Sequence, residues 1–225
     1  MRRFSASLGS VSALCALLAL ASACSTAPKR EIIDLKVAPS TDLAEGRAVV
    51  IGEVRDRREF LASEPLGDGA SPQQLVAGGA DDPAIVARAV AQIRDARKRP
   101  RIDVLLPEGG SVSELVRAAL ANGFRLAGFR VLAADDPNAA SATPISAEIE
   151  RFWSWNSGSW TFTFHFEADV LVRGAVAPFD PERKVQGRAT LHSAVAATPA
   201  SFLNTATKGL EDFANQVADA LSSAR

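Results

Sequence analysis

The chain has no tyrosine, one methionine, two histidines and two cysteines among 225 residues. Each scarcity closes off some chemistry. Both cysteines, Cys15 and Cys24, stand in the N-terminal segment, so the remainder has neither a disulfide framework nor a thiolate metal site available to it. Imidazole chemistry is confined to His165 and His192. Charge of neither sign predominates, with 25 basic against 26 acidic residues, which gives no electrostatic case for a nucleic-acid partner and no acidic solvating tail. A P-loop is missing, because Gly109–Gly110–Ser111 lacks the lysine. No Gly-x-Ser-x-Gly nucleophile elbow occurs either, and Gly158–Ser159–Trp160 reads as part of a hairpin turn.

What is present begins with an address. Met1–Arg2–Arg3 gives a positive start, and residues 8–23 are apolar or small, with Leu14, Leu17, Leu18 and Leu20. That layout is a secretory signal, too short for a membrane span. It ends Leu20–Ala21–Ser22–Ala23–Cys24, small residues before a cysteine, which resembles a bacterial lipobox. The resemblance implies cleavage before Cys24 and lipidation of Cys24. Ser25, where an aspartate would signal inner-membrane retention, implies sorting to the outer membrane. The competing reading is an ordinary secretory signal with an incidental cysteine. Loss of residues 1–23 removes Arg2 and Arg3 and no acid, leaving 23 basic against 26 acidic residues, a net −3. Several acyl chains on one residue hold firmly, where one alone is marginal. The expected layout is therefore a signal peptide over 1–23, a tether over 24–31 and one periplasmic domain over 32–225.

Within that domain, the stretch from Ile145 to Val195 sets the plan. From Trp160 to Val172 the even positions are apolar or small and the odd ones are mostly polar, the mark of a half-buried strand. The run before it places Ile145, Ala147, Ile149, Trp153 and Trp155 on one side. A turn at Asn156–Ser159 would set Trp155 opposite Trp160, Trp153 opposite Phe162 and Ile149 opposite Phe166, with both apolar sets on one face. A third strand follows, with Val185, Gly187, Ala189, Leu191 and Val195 on one side.

Upstream, Ile32–Ala38 reads as a short edge strand and Ala48–Ile51 as a strand apolar on both faces. Val54–Arg55–Asp56–Arg57–Arg58, strongly charged, is then expected to leave the sheet. Residues 63–101 form a loop-and-helix insertion: a Gly/Pro/Ser-rich loop, then a helix from Asp82–Pro83 along Ile85, Ala89, Val90, Ile93 and Ala96 with a basic end. That end (Arg94, Arg97, Lys98, Arg99, Arg101) complements a helix dipole or meets an anionic surface. Ile102–Leu106 is a strand. Ser111-Val112-Ser113-Glu114 is a capping box that opens a helix running past Asn122–Gly123 to Gly128. Phe129–Leu132 is a strand. Thr198–Pro199 starts a last helix striped by Phe202, Ala206, Leu210, Phe213, Val217 and Leu221. The expected fold is α+β, a two-layer sandwich whose mostly antiparallel sheet carries amphipathic helices on one face.

The order of these parts carries a resemblance. A lipobox, a valine-rich strand ending in Asp56–Arg57–Arg58, a helix leading to Gly128–Phe129–Arg130–Val131, a long hairpin and a C-terminal helix together resemble the YajG-like uncharacterised lipoproteins of Gram-negative bacteria. The resemblance spans most of residues 24–222, with 63–101 longer than the family pattern. It implies an envelope location and no catalytic residues.

Candidate chemistry is sparse. His165 and His192 fall on the polar faces of adjacent strands. A register whose numbers sum to 357 would set them opposite each other and Asp169 opposite Arg188; one shifted by two sets Glu167 opposite His192. Two imidazoles without a third ligand make a weak metal site. Glu148, Glu150, Glu167 and Asp169 read as solvated charges on an open face, since acid–base catalysis needs carboxylates whose pKa values a cleft drives apart. No cofactor is expected, and no enzymatic activity. Trp153, Trp155 and Trp160 read as core, or near the hairpin tip as a partly exposed aromatic patch. The candidate partner surface is therefore Trp155, Ser157, Trp160, His165, Glu167 and His192, for a second envelope protein or, alternatively, a peptidoglycan or lipid fragment.

Overall fold

The structure is a computed structural model, and it describes residues 29–40, 46–60, 75–76, 79–95, 100–158, 161–193 and 197–224. Eight strands form one sheet: β1 (Lys29–Ile32), β2 (Ala48–Asp56), β3 (Ala89–Arg94), β4 (Pro100–Leu105), β5 (Arg130–Leu132), β6 (Thr143–Ser157), β7 (Phe162–Gly174) and β8 (Arg183–Ser193). Three α-helices accompany them among the described residues: α1 (Pro83–Arg88), α2 (Val112–Leu126) and α3 (Pro199–Ser223). Among the described residues, no helix is long and apolar enough to cross a membrane. Cys24, the candidate lipidation site, lies outside them.

The fold is α+β, but a mostly antiparallel sheet is not what forms. The sheet is mixed: β1–β4, β2–β5, β2–β6 and β3–β6 are parallel pairings, and β3–β4, β6–β7 and β7–β8 antiparallel. Parallel pairing arises because β2 and β3 reach β6 through long connections, whereas hairpins give only antiparallel neighbours. The segment expected to be tether through residue 31 also enters the sheet, since Lys29–Ile32 pairs with β4.

The sheet forks on β6. Along one side of that long strand runs β7. Along the other, β2 pairs with its first half, from Thr143 to Ile149, and β3 meets its second half at Ser154. Where β2 departs, Arg57 N–H still reaches the Ile149 carbonyl at 2.9 Å. The next residue, Arg58, does not leave for solvent as its charge suggests. Its guanidinium is fully buried, donates to the carbonyls of Ala89 (2.5 Å), Phe152 (3.3 Å) and Val86 (2.6 Å), and is held by both carboxylate oxygens of Asp56. One planar fork of donors satisfies β6, the start of β3 and the end of α1 together.

A bulge inverts the faces of β6. Its register on β7 shifts between Ile149 and Arg151, so Glu150 is the extra residue and side-chain parity reverses beyond it. Ile145, Ala147 and Ile149 face the α2–α3 layer, and past the bulge Phe152 takes their place in that core. Trp153 and Trp155 therefore point to the opposite face. The expected pairs are replaced by Ile149 with Val170, Trp153 with Glu167 and Trp155 with His165.

A second core covers the displaced tryptophans. Trp153 and Trp155 pack with Leu75, Ile85, Ala89 and Leu105, flanked by Phe60 and Val86, and Phe60 meets Trp153 edge-on at 5.8 Å. These partners come from the insertion and its borders. Within it, the helix expected to run through Ala96 stops at Arg88, and Ala89–Arg94 is β3. Ala89, Val90 and Ala91 are buried, with Ala89 in the second core and Val90 and Ala91 in the main one. A segment apolar on both faces suits a covered strand as well as a helix, and here the sheet claims it. Of the expected basic helix end, Arg94 closes β3 and Arg101 lies in β4, paired to Asp95 at 3.0 Å; Arg97, Lys98 and Arg99 lie outside the described residues.

The main core behaves as its stripes suggest. Ser111 and Glu114 form the capping box, and α2 runs on through Asn122–Gly123 to Leu126, closed by Gly128 at φ 83°. Phe202, Ala206, Leu210, Phe213, Val217 and Leu221 of α3 are all buried. Contact between α3 and the sheet is close enough to need glycine: a Cβ on Gly209 would stand 1.9 Å from the Phe166 ring.

Arg58→Met is expected to destabilise the protein by about 3–5 kcal/mol, because it leaves Asp56 and three carbonyls without their shared donor. Urea unfolding measures this; a loss below about 1 kcal/mol would show that the fork does not depend on the guanidinium.

Candidate functional site

The polar face of β6–β7–β8 is the surface on which the candidate residues meet. Alternation along each strand sends Glu148 and Glu150 of β6, the odd residues of β7 and the even residues of β8 to this side. Opposite charges then stand across from one another. Arg173 pairs with Glu148 (3.0 Å) and Glu182 (2.7 Å), Arg151 with Glu167 (3.1 Å), and Lys184 with Glu150. Arg188 also approaches Glu167 at 3.9 Å. Asp169 accepts from the Gln186 side chain at 2.9 Å. The Arg173 hydrogen bond holds the Glu148 carboxyl below its usual pKa. Exposed pairs of this kind add little to stability, because solvent screens them; their larger role is to disfavour a slipped register.

The register joining β7 to β8 is neither of the two expected. Thr163 stands opposite His192, His165 opposite Thr190, Glu167 opposite Arg188 and Asp169 opposite Gln186. The two imidazoles are therefore diagonal neighbours, each bound to its own hydroxyl: His165 Nε2 to Ser157 Oγ at 3.0 Å, and His192 Nδ1 to Thr163 Oγ1 at 3.1 Å. No group of three potential metal ligands exists among the described residues.

Trp155 lies at the centre of the predicted partner surface but is only 9% exposed. Its indole stacks on the His165 ring (centroids 5.0 Å apart, 17° between planes) and lies 5.6 Å from the Arg151 guanidinium carbon. Trp153 is fully buried. An open aromatic platform of Trp153 and Trp155 is thus not formed; both serve the second core. Trp160 lies outside the described residues. Ser157 and His192 are exposed, and His165 and Glu167 are half-buried.

Burial against Trp155 pushes the His165 pKa down, partly opposed by the Glu167 charge and reinforced by His192. Three further residues were not legible as participants. Arg58 and Asp103 are buried, and Arg151 reads simply as a charge. Asp103 accepts the Val76 N–H at 3.0 and 3.2 Å and lies 3.4 Å from the Gln92 amide. Burial raises its pKa. It pins residues 75–76 above the second core.

Two concavities lie beside the helices. One of about 620 Å³ lies between α2 and the chain after β5, lined by Pro39, Ala118, Ala121, Val131 and Ala133 with Arg117 and Arg125. The other, about 280 Å³, runs between β8 and α3.

No protein-family model matches the chain, and no curated protein is similar to it. Among solved structures, an uncharacterised protein is 12% identical with a TM-score of 0.47, covering 86% of this chain and 98% of its own. A Xanthomonas campestris protein of family DUF330 is 9% identical with a TM-score of 0.42, over 84% of this chain and 92% of its own. A Caulobacter crescentus protein provisionally named a lipoprotein is 15% identical with a TM-score of 0.25, over 48% and 74%.

His165 is expected to titrate below the usual histidine value of about 6.5, and Glu167→Gln to lower it further by removing a charge that favours the imidazolium. Because the fold prefers the neutral ring, its contribution to stability is complete above about pH 6.5 and falls as pH drops from there through the lower folded value. NMR titration of the two ring signals, assigned with His192→Asn, checks both; a His165 midpoint at or above the usual value would contradict the burial.

Proposed function

We propose that this chain is a lipid-anchored lipoprotein on the periplasmic side of the outer membrane, acting as a non-enzymatic adaptor for another envelope protein. One observation carries the adaptor reading: on the polar face of β6–β8 each carboxylate already has a cation or amide partner. A general acid or base must be free to exchange its proton with substrate, and these groups are committed to each other. A rigid, charge-alternating sheet face suits recognition of a complementary protein surface. Lipid anchoring at Cys24 and the outer-membrane address rest on the Leu20–Ala21–Ser22–Ala23–Cys24–Ser25 sequence. Recognition of a peptidoglycan or lipid fragment by the tryptophans has less support, since Trp153 and Trp155 are buried.

Cys24→Ala is expected to move the protein from the outer-membrane fraction to the soluble periplasm while leaving its fold unchanged. A variant that still sediments with membranes would remove the lipid anchor from the proposal. A photo-reactive residue at Thr190, exposed on the polar face, is expected to give one discrete protein adduct in cells. Crosslinking to glycan or lipid alone would overturn the adaptor role.

A further inference from the structure

Among the described residues, the sheet ends at β8, which pairs only with β7. Which backbone groups this edge exposes follows from one hydrogen bond. The Arg188 N–H donates to Asp212 Oδ2 of α3 at 2.9 Å rather than to β7. Backbone groups two residues apart on a strand point the same way, so Lys184, Gln186, Arg188, Thr190 and His192 turn their N–H and C=O groups outward. Among the described residues, nothing pairs with the outward backbone of Gln186 or Thr190.

The helix beside this edge shapes a groove. A Cβ on Gly187 would stand 2.6 Å from the Gly209 carbonyl oxygen and 2.5 Å from Phe213 Cβ, so α3 lies directly against β8. Its later turns overhang the edge. The space left, about 280 Å³, is lined by Arg183, Lys184 and Gln186 on the strand and Asp212, Gln216 and Ala220 on the helix. A strand edge with open hydrogen-bonding groups and a parallel helix wall is the setting in which an extended peptide adds to a sheet.

We infer that the β8 edge and α3 form a docking groove for an acidic, extended segment of a partner protein, which joins the sheet as a further strand. Charge selects the occupant. Arg183, Lys184 and Arg188 line the groove with a single acid, Asp212; Lys184 and Arg188 also reach Glu150 and Glu167 across the polar face, and Arg183 has no ion pair among the described residues. Strand alternation then sets the pattern of the segment: acidic side chains beside Lys184 and Arg188, small apolar ones towards Gln216 and Ala220. A second copy of β8 fits poorly, because a two-fold pairing centred on Gln186 would place Lys184 opposite Arg188 twice, and like charges directly opposite are unfavourable. Asp212 acts as a plug, occupying one of the outward N–H groups that an incoming carbonyl would otherwise take, in keeping with how exposed edges are guarded. The inference names the chemistry of the protein partner proposed above, and it holds whether or not Cys24 carries lipid.

The test uses the full chain purified in detergent and a fluorescein-labelled peptide of four Glu-Val repeats, followed by anisotropy. Saturable binding is expected, weakened about tenfold or more when alternate peptide amides are N-methylated and when Lys replaces Glu. Gln186→Pro removes an outward N–H that the native sheet does not use and is expected to weaken binding to the same extent. Arg183→Glu, at an exposed side chain, is expected to weaken binding of the acidic peptide and favour the lysine one. Asp212→Ala frees the Arg188 N–H and is expected to bind at least as tightly as the parent. Equal binding of the N-methylated peptide would reduce the effect to charge attraction and overturn strand addition, as would absence of saturable binding. Dimerisation in sedimentation that Gln186→Pro abolishes would assign the edge to a second copy and overturn the inference too.

Discussion

The Arg58 guanidinium lets one strand serve two neighbours along the same side. Where β2 gives way to β3, β6 must pass through a gap in its ladder, and a gap inside a core leaves carbonyls unpaired. Burying one unpaired polar group costs about 1–3 kcal/mol, and burying a lone cation costs far more. Arg58 meets both requirements together. Three carbonyls and the Asp56 carboxylate take its donors, and Phe60 covers its plane at 5.1 Å. Lysine could not replace it, since a single ammonium cannot span such a planar set of acceptors. The forked sheet, the entry of β3 and the seating of α1 depend on this one side chain.

The bulge at Glu150 is the second constraint, and the insertion follows from it. With parity reversed, Phe152 fills the main core while two tryptophans face what should be a wet surface. Trp153 and Trp155 cannot remain there uncovered, and the segment around Leu75, Ile85 and Ala89 supplies the cover. The Asp103 carboxylate holds that cover by the Val76 amide. The described part of residues 63–101 thus has a structural role.

Much of this plan was legible, and the rest was hidden for identifiable reasons. The capping box at Ser111, the stripe of α3 and the two-residue period of β7 and β8 are local signals, and they hold. Register is not local: it depends on how many residues the turns consume, so a polar face read correctly still gave wrong cross-strand partners. The bulge did leave a trace. Glu150 and Arg151 are two polar residues in succession within an alternating run, followed at once by Phe152, and a broken period in a strand is the mark of an inserted residue. Arg58 left none, since a charged residue in a charged turn looks solvated until its acceptors are placed. Ala89–Ile93 satisfied helical spacing and strand burial equally, and only the partners β4 and β6 decided between them.

The order of pairing also governs when the sheet can exist. Val49 waits for Thr143, and Ala91 for Ser154, so neither β2 nor β3 has its central partner until β6 is available. A chain delivered N-terminus first therefore carries its early strands without their template for most of its length. Such long-range pairing slows folding, because loop closure must precede the contacts that reward it. The central part of the sheet cannot assemble until the last third of the chain is available, and then β6 gathers both halves at once.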